Sequence, residues 1–301
     1  MNFLDLITPV GARERLKDLR QKHIDLHVAL LVAGADKDAE WLHTIGPGFD
    51  DLLRSLLPPI PPHELRSITN DPHEAGFLWQ GVRDAMFLVD LFEKHAVDRP
   101  PRASVLDFGC GCGRVTRLLG QSTAYKTFGS ETNPAHVAWC QEKISNVTTL
   151  TNGPEPPLCL PDRSIDFAFA LSVFSHFPKE RTLAWLHEMA RVLANNGILI
   201  ITTHGYRALS TLVTSVPHRA LFGYNSDHVT DLIRRVCDDR YVFMPYDAFT
   251  IASANAGSNY GNAFVDPNWM IDAAHKLFDL SEFVAGGTFA NWQDAYVFRK
   301  L

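Results

Sequence analysis

No stretch of the 301 residues approaches the roughly 20 consecutive apolar residues that a membrane-spanning helix needs, so no membrane partner is expected. The first residues, Met1-Asn2-Phe3-Leu4-Asp5, lack a basic region followed by a long apolar run, so no secretory leader is expected. Positive charge is scarce: the net charge is -6, which argues against a nucleic-acid backbone as partner. Nor do basic residues and aromatics interleave as they do in a groove for single strands. Cysteine is sparse and odd in number, at Cys110, Cys112, Cys140, Cys159 and Cys237. Their spacing fits no zinc pattern, so no metal is expected, and they read as reduced thiols of a cytoplasmic protein. Internal repeats and low-complexity segments are also missing. What remains is an ordinary globular composition, 46% hydrophobic and 21% charged, in a length that suits one large domain or a core with an accessory region.

The first hundred residues (1–100) read as a helical extension. Gly11 to Val32 carries Leu16, Leu19, Ile24, Leu26 and Leu30 at helical spacing, which reads as an amphipathic helix packed on the body, with a solvated basic face, or as a homodimer contact. A second helix is expected within Asp36 to Leu57. Leu57-Pro58-Pro59-Ile60-Pro61-Pro62 cannot be helix interior and reads as an extended connector. Phe77 to His95 is the next helix, and the glycines Gly76 and Gly81 beside an aromatic start are costly in a helix that only packs. Phe77 to Gly81 is therefore a candidate lid over a ligand, with packing as the alternative.

Ser104 to Arg114 reads S-V-L-D-F-G-C-G-C-G-R. A short apolar strand ends near Asp107, and Gly109, Gly111 and Gly113 alternate through a loop before Val115–Leu119 turns helical. Such a loop lets a ligand approach bare backbone, and the free N–H groups of the helix start favour an anionic group. A dinucleotide fingerprint would place its third glycine at position 114, which is Arg114; the third glycine comes one residue early. Downstream, strands at Tyr125–Gly129, Val147–Leu150, Ser164–Leu171 and Ile198–Ile201 alternate with helices after Asn133-Pro134 and over Lys179–Ala194, the latter closed by Asn195-Asn196-Gly197. That rhythm predicts a parallel sheet with right-handed crossovers. Thr202 to Phe264 breaks it with helices near Tyr206–Val216 and Asp227–Cys237 and then an irregular stretch. A helix from Asp266-Pro267 to Leu277 and strands at Phe278–Phe283 and Ala295–Arg299 close the chain.

The stretch D-F-G-C-G-C-G resembles the first motif of the class I S-adenosylmethionine-dependent methyltransferases. The order of later segments resembles that family too: Glu131 ending the second strand, Pro156–Phe167 before the fourth, Leu171–Phe177 after it, Glu188–Gly205 through the fifth, and Gln293–Val297 in the last. The resemblance covers roughly residues 103–205 and, more weakly, 266–301. It implies an α/β fold, a doubly wound, mostly parallel seven-stranded sheet. Its core would span 101–205 and 266–301, with the helical extension before it and a substrate-side insertion at 206–265.

It further implies S-adenosylmethionine as cofactor. Asp107, Gly109, Cys110, Gly111 and Gly113 would hold its amino-acid end, and Glu131 with Thr132 its ribose. Asn152, Gly153, Leu171 and Ser172 would line its adenine pocket, with Phe77 and Gly81 above. A carboxylate at Glu131 suits two ribose hydroxyls, since it points into the crevice where open parallel sheets bind ligands.

Methyl transfer from a sulfonium asks the protein mainly for orientation and exclusion of water. If the acceptor carries a proton, a histidine suits as base, and His176 and His204 follow the fourth and fifth strands at the crevice. Each is a candidate base, substrate ligand or orienting donor, or else a loop residue satisfying backbone. The expected activity is methyl transfer to oxygen, nitrogen or carbon of a small molecule, a secondary metabolite or saccharide. The alternative is a regulatory or inactive partner subunit that binds the cofactor without turnover.

Overall fold

The computed structural model describes residues 57–68, 73–97, 99–246, 259–288 and 292–301. The helix expected at 11–32, and that at 36–57 except for Leu57, lie outside them.

Among the described residues, a short helix α1 (His63–Ile68) and a long helix α2 (Glu74–His95) precede the sheet. Then follow β1 (Ala103–Phe108), a single turn α3 (Thr116–Leu119), β2 (Tyr125–Glu131), α4 (Pro134–Lys143) and β3 (Val147–Thr151). β4 (Ile165–Ala170), a 3-10 turn (Phe174–His176), α5 (Lys179–Val192) and β5 (Leu193–Thr203) complete the parallel part. The strands lie in the order β3-β2-β1-β4-β5-β9-β8, where β8 is Phe278–Thr288 and β9 is Gln293–Lys300. β9 runs antiparallel to both neighbours, and the pairs from β3 through β5 are parallel. This is the doubly wound, mostly parallel seven-stranded sheet expected from the sequence.

Period-two alternation decides the two faces. Leu106, Phe108, Ala168, Ala170, Leu199 and Ile201 face one apolar layer, built with Trp185, Leu186 and Met189 of α5. Val105, Phe167, Phe169, Ile198 and Ile200 face the other, built with α2 and Leu118 and Leu119 of α3. Both faces are covered, which is why these strands read as nearly continuous apolar runs. α2 lies close to the glycine loop: a Cβ at Gly81 would stand 2.8 Å from the Arg114 carbonyl oxygen. Arg114 in turn reaches Asp84 of α2 at 2.5 Å.

Several boundaries differ from the sequence reading. The helix expected through Ala194 stops at Val192, because Leu193 already pairs with Ile165 in the sheet. The turn at Asn195-Asn196-Gly197 is a bulge within β5, with Asn196 in the left-handed region (φ 61). The helix expected over Tyr206–Val216 breaks at Ser215, whose hydroxyl caps a second helix; the pair are α6 (Tyr206–Thr214) and α7 (Val216–Leu221). α8 (Ser226–Asp239) follows a capping box of Asn225 and His228.

The stretch read as irregular holds two strands, β6 (Tyr241–Pro245) and β7 (Gly261–Val265), paired antiparallel in a small separate sheet. That sheet is tied to the main one where Val265 N donates to the His204 carbonyl (2.8 Å). The helix expected to reach Leu277 is α9 (Pro267–Ala274), capped by Asp266. β8 runs on to Thr288, beyond the Phe283 expected, because its pairing with β9 continues to Thr288↔Gln293.

Candidate active site

The strand order reverses between β1 and β4, and the crevice outside the carboxyl ends of these strands is where open α/β sheets place ligands. The loop after β1 forms one side. Gly109, Gly111 and Gly113 all have positive φ (78, 55 and 86). Gly109 N and Cys110 N donate to the Ser130 carbonyl (2.8 and 3.1 Å), which pins the loop to the end of β2. Cys110 and Cys140 are buried behind it, and each thiol donates to the Gly111 carbonyl (3.6 and 3.5 Å). Hydrogen bonding to Cys140 and burial push the Cys110 thiol well above its ordinary range, so it stays protonated near neutral pH.

Glu131 closes the second side. Its Oε2 accepts from Gly111 N (2.8 Å), and its Oε1 accepts from Thr132 N (2.7 Å), Asn133 N (2.8 Å) and the Thr132 hydroxyl (3.1 Å). Oε2, with a single N–H partner, keeps acceptor capacity for a ligand hydroxyl. Asn152 sits alongside: its N donates to the Glu131 carbonyl (3.1 Å), its Oδ1 accepts from the Ser130 hydroxyl (2.6 Å), and its Nδ2 donates to the Gly153 carbonyl (2.7 Å). Asp107 is buried at the base of the crevice and accepts from the Thr116 hydroxyl at 2.5 Å. Burial pushes its carboxyl up to about 7, against the Thr116 hydrogen bond and the Arg114 charge, which favour ionisation.

The third side is the loop after β4. Ser172 has φ 57, an uncommon conformation for a residue with a side chain. Its N donates to Thr202 Oγ1 (2.8 Å), and its Oγ accepts from Gln293 Nε2 (2.9 Å). Gln293 Oε1 accepts from the Thr202 hydroxyl (2.6 Å), and Gln293 Nε2 also reaches His204 Nε2 (3.2 Å). His176 Nδ1 lies 2.8 Å from the Gly261 carbonyl, which can only accept, so Nδ1 carries the proton and Nε2 is the free lone pair. Nε2 faces Ser172 Oγ at 3.4 Å. Tyr246 donates to Asn262 Oδ1 (2.8 Å), leaving its oxygen to accept from His176 Nδ1 (3.2 Å).

Tyr260 stacks on the His176 ring (centroids 5.1 Å apart, 29°), and His204 meets it edge-on at 5.9 Å. Gly261 can be nothing larger: a Cβ there would stand 2.2 Å from the Met244 carbonyl oxygen.

Burial lowers both histidines, His176 to about 4 and His204 to about 3, the latter also through the nearby His176. Both are neutral near pH 7. Their roles differ. The His204 Nε2 lone pair is taken by the Gln293 amide, and its ring lies among Phe222, Phe264 and Trp292. Among the described residues, His176 Nε2 has only the Ser172 hydroxyl before it.

The structure thus brings Asp107, the glycine loop, Glu131, Thr132, Asn152 and Gly153 to one end of the crevice, and Ser172, His176 and His204 to the other. Leu171 packs against the α2 side of the core. Phe77 is buried in α2 with the Arg117 guanidinium 5.7 Å from its ring centroid, and Gly81 abuts Arg114, so this segment buttresses the loop from behind. Ser172, expected only beside the adenine, is bonded into the histidine cluster. Sequence reasoning missed Gly261, Gln293, Thr202 and Arg181. Arg181 joins Glu155 (2.7 Å) after β3 to the Asn259 carbonyl (3.0 Å) beside Tyr260.

Residues 105–197 match the family model of a methyltransferase domain. Within this fold and behind this loop, residues 105–197 are thus similar to a methyltransferase domain. The relatives include a 2-methyl-6-phytyl-1,4-hydroquinone methyltransferase of Synechocystis, 28% identical over 110 residues (36% of this chain, 34% of the relative). Another, from Oryza sativa subsp. japonica and named for tocopherol O-methylation, is 25% identical over 144 residues (46% of this chain, 37% of the relative). The chain therefore aligns with little more than a third of the length of either. Among solved structures, the CcbJ methyltransferase of Streptomyces caelestis matches at 15% identity and a TM-score of 0.47, over 73% of this chain and 89% of that one. A methyltransferase of Aquifex aeolicus matches at 15% and 0.45, over 78% and 97%.

The cofactor of that domain class is S-adenosylmethionine, and the residues present fit it. Asp107 is a buried carboxyl whose ionised form a ligand ammonium would stabilise. Glu131 retains acceptor capacity on Oε2, and the glycine loop presents backbone without side chains. No helix among the described residues is long and apolar enough to cross a membrane.

Proposed function

We propose that this chain transfers the methyl group of S-adenosylmethionine to a small-molecule acceptor. Asp107 and the Gly109–Gly113 loop would hold the amino-acid end of the cofactor, Glu131 the ribose, and Asn152 and Gly153 the adenine side. When bound, the cofactor supplies an electrophilic methyl group on a sulfonium. The protein's own part is to hold the acceptor in line, exclude water and take up any proton the acceptor gives off. His176, whose unprotonated Nε2 faces the Ser172 hydroxyl, is the base; His204 is a positioning residue fixed by Gln293.

The observation that carries this reading is the contact between the two sides of the crevice: the glycine loop touches Val173, one residue from Ser172 and three from His176. The names of the two relatives support a small-molecule acceptor, and the net charge of -6 favours it over a nucleic acid. The five free thiols fit a reducing compartment such as the cytoplasm. Incubation with methyl-labelled S-adenosylmethionine and pooled small-molecule extracts tests the activity. Label entering a small molecule is the expected result; cofactor binding without any label transfer would instead make the chain a non-catalytic cofactor-binding subunit.

A further inference from the structure

Resting on the methyltransferase reading above, we infer that the acceptor atom is the oxygen of an uncharged, flat hydroxyl compound of the phenol class, and that Ser172 relays its proton to His176. The valences of the cluster lead there. A serine hydroxyl has one proton and two lone pairs. Gln293 Nε2–H occupies one lone pair of Ser172 Oγ. The serine proton points to His176 Nε2, which must accept because Nδ1–H is committed to Gly261. One lone pair of Ser172 Oγ remains, and it can accept a hydroxyl proton from a ligand. The Ser175 hydroxyl, buried and 3.5 Å away, lies at the limit of competing for it.

Ser172 is held in its left-handed conformation by Thr202 and Gln293 on two further strands, which is how strain persists at sites where it is used. Around the His176 ring stand neutral groups, the His204 imidazole, Tyr246 with Asn262, and Tyr260, and the two charges that act on Tyr260, Glu131 and Arg181, are opposite in sign. Aromatic faces with a few neutral hydrogen-bonding groups suit a flat, uncharged molecule.

The step balances. The acceptor oxygen forms a bond to the methyl carbon as the S–CH3 bond breaks, with both electrons staying on sulfur. The acceptor's proton passes to Ser172 Oγ while the serine proton passes to His176 Nε2. Positive charge thus leaves as a sulfonium and reappears as an imidazolium. Burial disfavours that imidazolium, so it releases its proton to water after turnover.

The test uses the full chain and a series of uncharged phenols of graded acidity, with primary amines and thiols for comparison. Wild-type protein should methylate phenols in preference to amines and thiols. Ser172→Ala should lose about a hundredfold in kcat on the weakly acidic phenols. The loss should shrink as the phenol becomes acidic enough to arrive ionised, because no proton then needs relaying. Ser172→Gly, which the left-handed backbone tolerates, gives the same reading if the alanine variant does not fold. Gln293→Leu should reproduce the acidity dependence, which a merely structural defect would not. A loss equal across the series overturns the relay, and so does turnover of amines or thiols but no phenol. Failure of the wild-type protein to bind S-adenosylhomocysteine would instead remove the methyltransferase reading itself.

Discussion

Gly109 and Val173 touch across the crevice so closely that a Cβ on Gly109 would stand 2.5 Å from Val173 Cγ2. One residue belongs to the glycine loop after β1, the other to the loop after β4 that carries Ser172 and His176. Gly109 also has φ 78, where a side chain costs roughly 1–2 kcal/mol. Gly109→Ala is therefore expected to weaken S-adenosylhomocysteine binding by about tenfold or more, since roughly 1.4 kcal/mol is a factor of ten. Adding Val173→Ala should restore part of the loss by relieving the contact, and calorimetric titration of the two variants checks both statements. Equal affinities for wild type and Gly109→Ala would show that the loop does not need this geometry.

The Asp107 carboxyl is pushed up to about 7 by burial, so protonation competes with a cationic ligand near neutral pH. S-adenosylhomocysteine carries an α-ammonium, which, in the binding mode proposed above, only ionised Asp107 attracts. Affinity should be highest above pH 7 and fall by up to about tenfold per unit as pH drops below it. Binding near pH 7 should release protons, visible as a dependence of the titration heat on the buffer's ionisation enthalpy. In Asp107→Asn both the slope and the proton release should vanish, with affinity low throughout.

Neutral His176 and His204 link stability to acid. Their folded values of about 4 and about 3 lie below the ordinary 6.5, so between these limits the unfolded chain binds more protons. Their contribution is whole above 6.5 and is lost as pH falls towards about 4 for His176 and about 3 for His204. Tm should decline over that window. His204→Phe, which keeps the ring among Phe222, Phe264 and Trp292, should flatten the decline even if it lowers Tm at pH 7. An unchanged slope in that variant would place the acid sensitivity elsewhere.

The sheet and the glycine loop were legible because each depends on neighbours in sequence. Runs such as Val105–Phe108 and Ile198–Ile201 are apolar on both faces, and Gly109–Gly113 lies directly between a strand and a helix. The histidine cluster was not legible as a cluster, because long-range contacts make it. Gly261 lies 85 residues from His176, and Gln293 lies 121 from Ser172. β6 and β7 were hidden for a related reason. Pro245, Gly261 and Asn262 are turn residues by local preference, and only their mutual pairing, with Gly261 against the Met244 carbonyl, makes them strand. The cluster's logic resides in which hydroxyl faces which lone pair, and residue spacing does not carry that.

Arg181 is buried and joins the loop after β3 to Asn259, next to Tyr260, which stacks on the candidate base. Arg181→Met keeps the apolar stem but removes these bonds. It should raise the acceptor KM more than it lowers cofactor affinity, since Tyr260 stacks on His176, on the side proposed to take the acceptor. Steady-state kinetics with each substrate varied in turn separates the two effects, and a defect confined to cofactor affinity would contradict this placement.

Glu131 is the hinge of the whole cradle, bonded at once to Gly111, Thr132 and Asn133. Titration of the wild-type chain and of Glu131→Ala with S-adenosylhomocysteine, under one buffer above pH 7, is the most direct measurement. Saturable one-site binding by the wild type, weakened at least tenfold in the variant while both remain folded, is the expected result. No binding by the wild-type protein, or equal binding by the two, would contradict the assignment of this crevice to the cofactor.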